Sequence, residues 1–332
     1  MISYIDLRPM NDPIRADINS AVFDCMDKSS YLRGFQTKAF EEEWAEFCGQ
    51  KFAIACNSGT DALTIACRAL ELKSAQVQAN TLPLSAIGLS LGGADVHISE
   101  IDREGRIPAG AEESVPVLLF GRIPDADSKD SKLYDAAHAH GWTPPLQSTA
   151  AWSFYPTKSL GALGDAGAIT TNDENLAQIM IEICGRDDQM RHSRQITSRI
   201  DEIQAAILRV KLRSLPVWLH QRQEIASAYD ARLGALGITL SGKSFNHIYA
   251  IRTSNRDSLR QHLINSGIET KIHWEKSLNQ LEGPWTSNGE YPIAKIWAEE
   301  ILSLPIYPGL SLKEVNFICD SIEEFYVHHY EN

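Results

Sequence analysis

The sequence predicts an α/β fold with a mainly parallel central sheet, followed by a smaller C-terminal domain. Short apolar runs alternate with helical patterns over roughly the first two-thirds of the chain, the order typical of strand–helix–strand units. The clearest unit lies at residues 51–72. There the apolar run FAIAC leads into the turn NSG, and leucine and alanine then recur at helical spacing. This pattern predicts a strand, a tight turn and a helix.

Four more strands are expected in the first part of the chain, at residues 115–120, 132–134, 151–154 and 167–171. A long helical pattern then runs over residues 199–236, and Pro216 should break or kink it. Later elements are a strand at 247–252 and helices at 257–266 and 312–326. We therefore place a large domain at residues 1–215 and a smaller α+β domain at residues 216–332.

Composition excludes several classes of protein. The 31 basic and 43 acidic residues give a formal charge of −12, which argues against a general nucleic-acid or membrane-surface binder. No apolar stretch has the length of a signal peptide core or of a membrane helix. The six cysteines show no CxxC spacing and lie in apolar segments, which favours free thiols in a reducing compartment. We expect a cytoplasmic protein.

Three common catalytic motifs are missing from the sequence. It contains no GxxxxGK[ST] phosphate loop, no HExxH, and no GxGxxG after a predicted strand. Nucleotide hydrolysis, zinc proteolysis and ordinary NAD chemistry are therefore disfavoured.

The turn between the first predicted strand and its helix is a candidate anion site. A helix N-terminus offers unpaired N–H groups and a partial positive charge, and Gly59 allows an anion to approach the backbone. Thr60 could add its hydroxyl. Simple capping of the helix by Asn57 or Ser58 explains the same residues, and taken alone it is the better interpretation.

Two further residues carry suitable chemistry. Asp135 follows a predicted strand, and the carboxyl ends of parallel strands are where such sheets bind ligands, although a lone aspartate there is more often a helix cap. Lys158 lies in a loop of small, aromatic and glycine residues, where poor solvation would lower the pKa of its amine. A lone loop lysine is usually just solvated.

Together the three segments supply an anion cradle, a carboxylate and an amine, in that order, within one α/β domain. Pyridoxal 5'-phosphate (PLP) needs this set: its phosphate binds a helix terminus, its pyridine nitrogen an acid, and its aldehyde a lysine.

In these and further segments the sequence resembles the DegT/StrS family of PLP-dependent sugar aminotransferases, within fold type I of the PLP enzymes. The resemblance covers nearly the whole chain, in the order NSGTDAL (57–63), DAAHAHG (135–141), SFYPTKSLGALGDAG (153–167), RIDEIQAAIL (199–208) and LPIYPGL (304–310). The segment LGALGDAG at 160–167 resembles the corresponding sequence in the branch of the family that aminates the third ring carbon of nucleotide-linked 6-deoxy-ketosugars.

The resemblance assigns roles to matching positions. It implies that Lys158 is the Schiff-base lysine and that Asp135 is the partner of the pyridine nitrogen. His138 matches a contact to the ring hydroxyl of the cofactor. The phosphate contacts match Gly59, Thr60 and Ser153.

Three positions depart from the family pattern. Thr197 stands where members carry an asparagine that reaches the PLP phosphate of a neighbouring subunit, and we keep it as a cofactor-binding candidate. Leu82 replaces an aromatic residue that stacks on the cofactor. The segment around His273, a weaker substrate-binding candidate, has lost the prolines and the tyrosine that help shape the sugar pocket.

The resemblance implies a PLP-dependent transaminase that moves an amino group from L-glutamate to a nucleotide-linked keto-deoxysugar, with a 3-keto-6-deoxyhexose favoured. It implies a homodimer with shared active sites, and we expect no nucleic-acid or membrane partner. Alternatives are a non-catalytic PLP-binding regulator, or an acceptor that is a 4-keto sugar nucleotide or a keto-cyclitol. A related sugar dehydratase would carry histidine in place of Lys158. A metal site at His138 and His140 lacks further ligands, so we expect none.

Overall fold

The structure is a computed structural model that describes residues 1–107, 113–125, 131–186 and 195–330. The helices of these ranges are α1 (Arg8–Asn11), α2 (Arg15–Asp27), α3 (Phe35–Phe47), α4 (Gly59–Ala69), α5 (Pro83–Gly92), α6 (Glu174–Ile183), α7 (Glu202–Leu212), α8 (Leu215–Leu233), α9 (Arg256–Asn265), α10 (Pro292–Glu300) and α11 (Leu312–Tyr330). Across these described ranges, none of the helices combines the length and apolar character that crossing a bilayer requires. The strands are β1 (Phe52–Cys56), β2 (Ser74–Gln78), β3 (Asp95–Ser99), β4 (Leu133–Asp135), β5 (Thr149–Ser153), β6 (Gly167–Thr171), β7 (Tyr249–Arg252) and β8 (Ile301–Leu304).

The central sheet is mainly parallel, as predicted, with β6 as its antiparallel member. Four strands lie in the order β1-β6-β5-β4, and β6 runs against both of its neighbours while β4 and β5 are parallel. Parallel bridges from Val117 to Asp135 and from Ser114 to Gln76 continue the sheet towards the parallel pair β2 and β3. The carboxyl ends of β1, β4 and β5 therefore meet at one edge.

The segment predicted as a strand at 115–120 forms no regular strand. It contributes only single bridges at Ser114 and Val117, and a short 3-10 turn follows at Leu119–Gly121. Phe120 has φ of 63°, a left-handed conformation that ends any extended run. The turn carries the chain away from the sheet immediately beside Asp135.

The long helical pattern at 199–236 divides into α7 and α8. The break falls at residues 213 and 214, and Pro216 lies in the first turn of α8. Proline is accepted there because its missing N–H would have no partner within the helix, whereas the helix interior excludes it. The prediction that Pro216 interrupts the pattern is confirmed.

The C-terminal part has its own apolar cluster, built around α8, α9, α11 and the antiparallel pair β7 and β8. Ile2 also belongs to this cluster, because the N-terminal segment bridges to Ile268. Conversely, Ile248 and Trp297 pack with the apolar residues of the large sheet. The domain boundary between residues 215 and 216 stays a prediction.

Trp44 is the centre of the packing behind the sheet. Its side chain is fully buried, and its ring meets those of Trp152 and Phe154 edge-on at centroid distances of 5.3 and 5.0 Å. These contacts fix α3 against β5 and the chain that leaves it.

We expect Trp44→Ala to lower the free energy of unfolding by about 3–5 kcal/mol, because a large buried ring leaves a cavity that cannot collapse fully. Urea unfolding followed by circular dichroism measures the change. Val217→Ala is the control, since Val217 is 58% exposed and should change the value by about 0.5 kcal/mol or less. Equal stability of the two variants would contradict this assignment.

Candidate active site

A cavity of about 500 Å³ opens at the edge of the sheet where β1, β4 and β5 end. Such edges are where parallel sheets bind ligands. Its walls include eight residues singled out from the sequence, namely Gly59, Thr60, Leu82, Asp135, His138, Ser153, Lys158 and His273. Residues from distant parts of the sequence thus meet in one site.

The anion cradle forms at the start of α4. Ser58 is the N-cap, and its hydroxyl accepts a hydrogen bond from the backbone N–H of Asp61 at 3.1 Å, so the capping interpretation is right for Ser58. The amides of Gly59 and Thr60 begin the helix and have no partner within it. A Cβ on Gly59 would lie 2.7 Å from Ser153 Cβ, so β5 approaches the helix terminus closely. This cradle fits a phosphate group.

Asp135 ends β4 and is buried, with 6% of its surface exposed. The hydroxyl of Ser85 donates to Oδ2 at 2.7 Å, and the backbone N–H of Ala137 donates to Oδ1 at 3.1 Å. Burial raises the pKa of this carboxyl, while the two hydrogen bonds and the charge of Lys158 oppose the rise. The carboxylate is therefore held in one orientation at the cavity wall.

Lys158 supplies the amine. Burial lowers its pKa from 10.5 to about 8, and the charge of Asp135 opposes that effect. A lysine with this pKa is partly neutral near pH 7, and only the neutral amine is a nucleophile. The expectation of a poorly solvated lysine agrees with this environment.

His138 is a neutral hydrogen-bond donor. Its Nδ1 accepts from the backbone N–H of Phe120 at 3.2 Å, which leaves the ring proton on Nε2. Burial, and then the charge of Lys158, hold its pKa well below the usual range. The ring also lies 4.6 Å from that of His247, measured between centroids.

His140 has a structural role instead. Its Nδ1 accepts from the backbone N–H of Leu160 at 2.9 Å, and Nε2 lies 3.0 Å from the carbonyl oxygen of Ser153. Both nitrogens thus tie the lysine loop to β5. The part of the chain that the structure describes contains no group of three or more side chains able to hold a metal ion.

Thr197 lies apart from the other candidates. It is exposed and is not part of the cavity wall. Its neighbour Ser198 is buried and donates to Asp61 Oδ2 at 2.7 Å, which places this segment beside the start of α4. The predicted contact of Thr197 with a cofactor in a neighbouring subunit stays a prediction.

Sequence reasoning missed several cavity residues as functional groups, namely Tyr4, Ser85, His247 and Lys271. Ser85 lies in α5 and reaches Asp135 across 50 residues of sequence. No local pattern marks such a contact. His247 could have been noticed in the sequence because it directly precedes the apolar run that forms β7.

The residues present fit PLP on structural grounds. The open helix terminus suits its phosphate, the buried carboxylate suits its pyridine nitrogen, and a poorly solvated amine suits its aldehyde.

The pKa of Lys158 makes a testable prediction in the cofactor-free protein. Labelling of Lys158 by acetic anhydride, measured by peptide mass spectrometry, should reach half its maximal rate near pH 8, because the amine reacts only when neutral. Asp135→Asn should move this midpoint to lower pH, since the aspartate charge raises the lysine pKa. A midpoint near that of an exposed lysine such as Lys276 in both proteins would contradict the proposed burial.

The sequence matches the DegT/DnrJ/EryC1/StrS aminotransferase family over residues 12–87 and 128–323. It is 30% identical to the dTDP-3-amino-3,4,6-trideoxy-alpha-D-glucose transaminase of Streptomyces venezuelae, over 98% of this chain and 96% of the relative. It is also 30% identical to the UDP-2-acetamido-2-deoxy-3-oxo-D-glucuronate aminotransferase of Pseudomonas aeruginosa, over 97% of this chain and 99% of that relative.

A solved structure has the same fold. The crystal structure of S. venezuelae DesV in complex with a ketimine intermediate superposes with a TM-score of 0.89 at 28% identity, over 98% of each chain. The match in sequence, fold and site geometry leads to one conclusion. The chain belongs to the DegT/DnrJ/EryC1/StrS aminotransferase family and is a PLP-dependent aminotransferase.

Proposed function

We propose that the enzyme transfers an amino group from L-glutamate to the keto group of a nucleotide-linked deoxysugar, with a 3-keto-6-deoxyhexose as the acceptor. The observation that carries the proposal is that the half-buried Lys158 and the buried Asp135 carboxylate line one cavity beside an open helix terminus. This arrangement suits amine transfer through PLP.

The acceptor is supported by two independent features. The names of both relatives described above place the keto or amino group at the third sugar position. The segment LGALGDAG (160–167) resembles the 3-aminating branch, and its Asp165 and Ala166 line the same cavity as Lys158.

The roles of the residues follow from the site geometry. When bound, PLP supplies an aldehyde that takes up amines and a ring that stabilises negative charge on the carbon that loses its proton. Lys158 Nζ, with a pKa of about 8, accepts that proton and returns it. With PLP bound, Asp135 would hold a proton on the ring nitrogen through a charge-assisted hydrogen bond.

The remaining contacts orient the cofactor. The amides of Gly59 and Thr60, with the hydroxyl of Ser153, would hold its phosphate, and Nε2–H of His138 would donate to its ring hydroxyl. Leu82 lines the same wall and offers an apolar surface to the ring.

A PLP-binding regulator without transaminase activity is the second candidate. The departures at Thr197 and Leu82 motivate it. The presence of both Lys158 and Asp135 in one cavity weighs against it, because transamination needs this pair. The acceptor could instead be a 4-keto sugar nucleotide or a keto-cyclitol. The pyridoxamine form of the enzyme can be mixed with each of these compounds to find the one that it aminates.

We expect the absorbance band of the PLP-loaded enzyme to change to that of the pyridoxamine form when L-glutamate is added. Lys158→Ala should abolish this change, and Asp135→Asn should slow it by orders of magnitude, about 100-fold or more. The control is Lys313→Ala, an exposed lysine in α11. A loaded wild-type enzyme that ignores glutamate would favour a regulator or a different donor, and full activity of Lys158→Ala would refute the mechanism.

We further propose that two chains form a homodimer that completes each active site. Leu84 and Tyr155 line the cavity although they are 49% and 54% exposed, and Leu163, in the loop that carries Lys158, is 51% exposed. Apolar side chains at an open cavity rim suit a surface that a second copy covers. The exposed position of Thr197 is consistent with a contact across that surface.

Sedimentation equilibrium should give twice the 36.9 kDa mass of one chain. Leu163→Glu should weaken the dimer and lower activity together, because a buried charge without a partner is costly. Leu312→Glu, at a residue of similar exposure far from the cavity, should do neither. A fully active monomer would rule out shared active sites.

The six free and buried cysteines support a third part of the proposal, that the enzyme works in a reducing compartment such as the cytoplasm.

A further inference from the structure

A second cationic residue lines the active-site cavity, on the side formed by the C-terminal part of the chain. Lys271 shares the cavity with Lys158, and its Nζ lies 5.2 Å from the centre of the Tyr4 ring in a cation–π contact. Among the described residues, no carboxylate forms an ion pair with Lys271 within 4.0 Å. The charge of Lys271 is therefore available to a ligand.

The position of Lys271 is fixed by its surroundings. Its backbone exchanges two hydrogen bonds with Ser303 of β8, with N–O distances of 3.1 and 2.7 Å. Tyr4, on which the lysine lies, is held by its own N–H, which donates to Glu269 Oε2 at 3.1 Å. The backbone of Lys271 is thus paired with β8, and its ammonium lies over a half-buried aromatic ring.

His273 lines the same cavity two residues further along the chain. Its Nδ1 is 2.8 Å from Ser303 Oγ, which leaves Nε2 for a ligand. Burial, and then the charges of Lys271 and Lys158, lower its pKa to about 4, so the ring is neutral at physiological pH. Lys158, Lys271 and His273 all line the same cavity.

We propose that Lys271 and His273 bind a carboxylate of the amino donor. This inference deepens the proposed function and rests on it, because it assigns the donor subsite of the same cavity. An ammonium is a suitable donor to a carboxylate, and a neutral imidazole is one in the tautomer that carries its proton on Nε2. An amino acid carries its α-carboxylate one bond from the carbon that bears the reacting amine, so an anion site close to Lys158 suits the donor better than a remote diphosphate.

The first test is binding of glutarate, a dicarboxylate without an amine, to the PLP-loaded enzyme by calorimetry. Lys271→Met keeps most of the apolar stem and removes the charge, and it should weaken glutarate binding about 10- to 100-fold, the range expected for a hydrogen bond to a charged group. Lys271→Arg should restore most of the affinity. The control is Lys276→Met, an exposed lysine of the same segment outside the cavity wall.

The second test separates the two half-reactions by single-turnover absorbance. Lys271→Met should raise the glutamate concentration needed for half-maximal rate by the same factor, with little change in the maximal rate and none in the reaction with the keto-sugar nucleotide. An effect confined to the nucleotide half-reaction would overturn the proposal and assign Lys271 to an anion of the acceptor. Unchanged binding of both glutarate and glutamate would also overturn it.

A different result would show that the proposed glutamate transamination itself is wrong. A wild-type enzyme that does not respond to saturating glutamate contradicts glutamate transamination. The glutarate titration still decides whether Lys271 binds carboxylates, because that measurement needs no turnover.

Discussion

The backbone contact between the start of α4 and the strands β5 and β6 is the constraint on which the active site depends. A Cβ on Gly59 would lie 2.7 Å from Ser153 Cβ, and one on Gly167 would lie 2.3 Å from the carbonyl oxygen of Ser58. Any larger residue would push the helix terminus away from the strands that flank the lysine loop. Two glycines therefore set the distance between the anion cradle and Lys158.

Burial is the common cause of the unusual titration behaviour of the site. The same desolvation lowers the pKa of Lys158 and raises that of Asp135, and each charge partly compensates the other. Hydrogen bonds from Ser85 and Ala137 favour the carboxylate. The cavity can thus hold a reactive amine and an anionic acid partner near neutral pH.

Left-handed backbone conformations shape the wall where the two parts of the chain meet. Phe120 and Asn246 have φ of 63° and 52°, a conformation that costs energy for residues other than glycine. Phe120 directs its N–H to His138, and Asn246 precedes His247. The buried Arg222 donates to the carbonyl oxygens of Asn246 and His247 at 3.3 and 3.1 Å. The bonds from Arg222 hold Asn246 in its left-handed conformation and fix His247 beside it.

The sequence by itself determined the local elements and the chemistry they carry. The strand, turn and helix at residues 51–72, the strand at 167–171, and the positions of Asp135 and Lys158 follow from periodicity, glycine and strand ends, all of which are local properties. Only the tertiary structure decided that residues 115–120 join the sheet through single bridges and then turn at Leu119–Gly121, that Thr197 is exposed, and that Tyr4 and Lys271 reach the cavity. Tyr4 is held by a side chain 265 residues away. Contacts over such separations depend on how the whole chain packs, and no short pattern of residues encodes them.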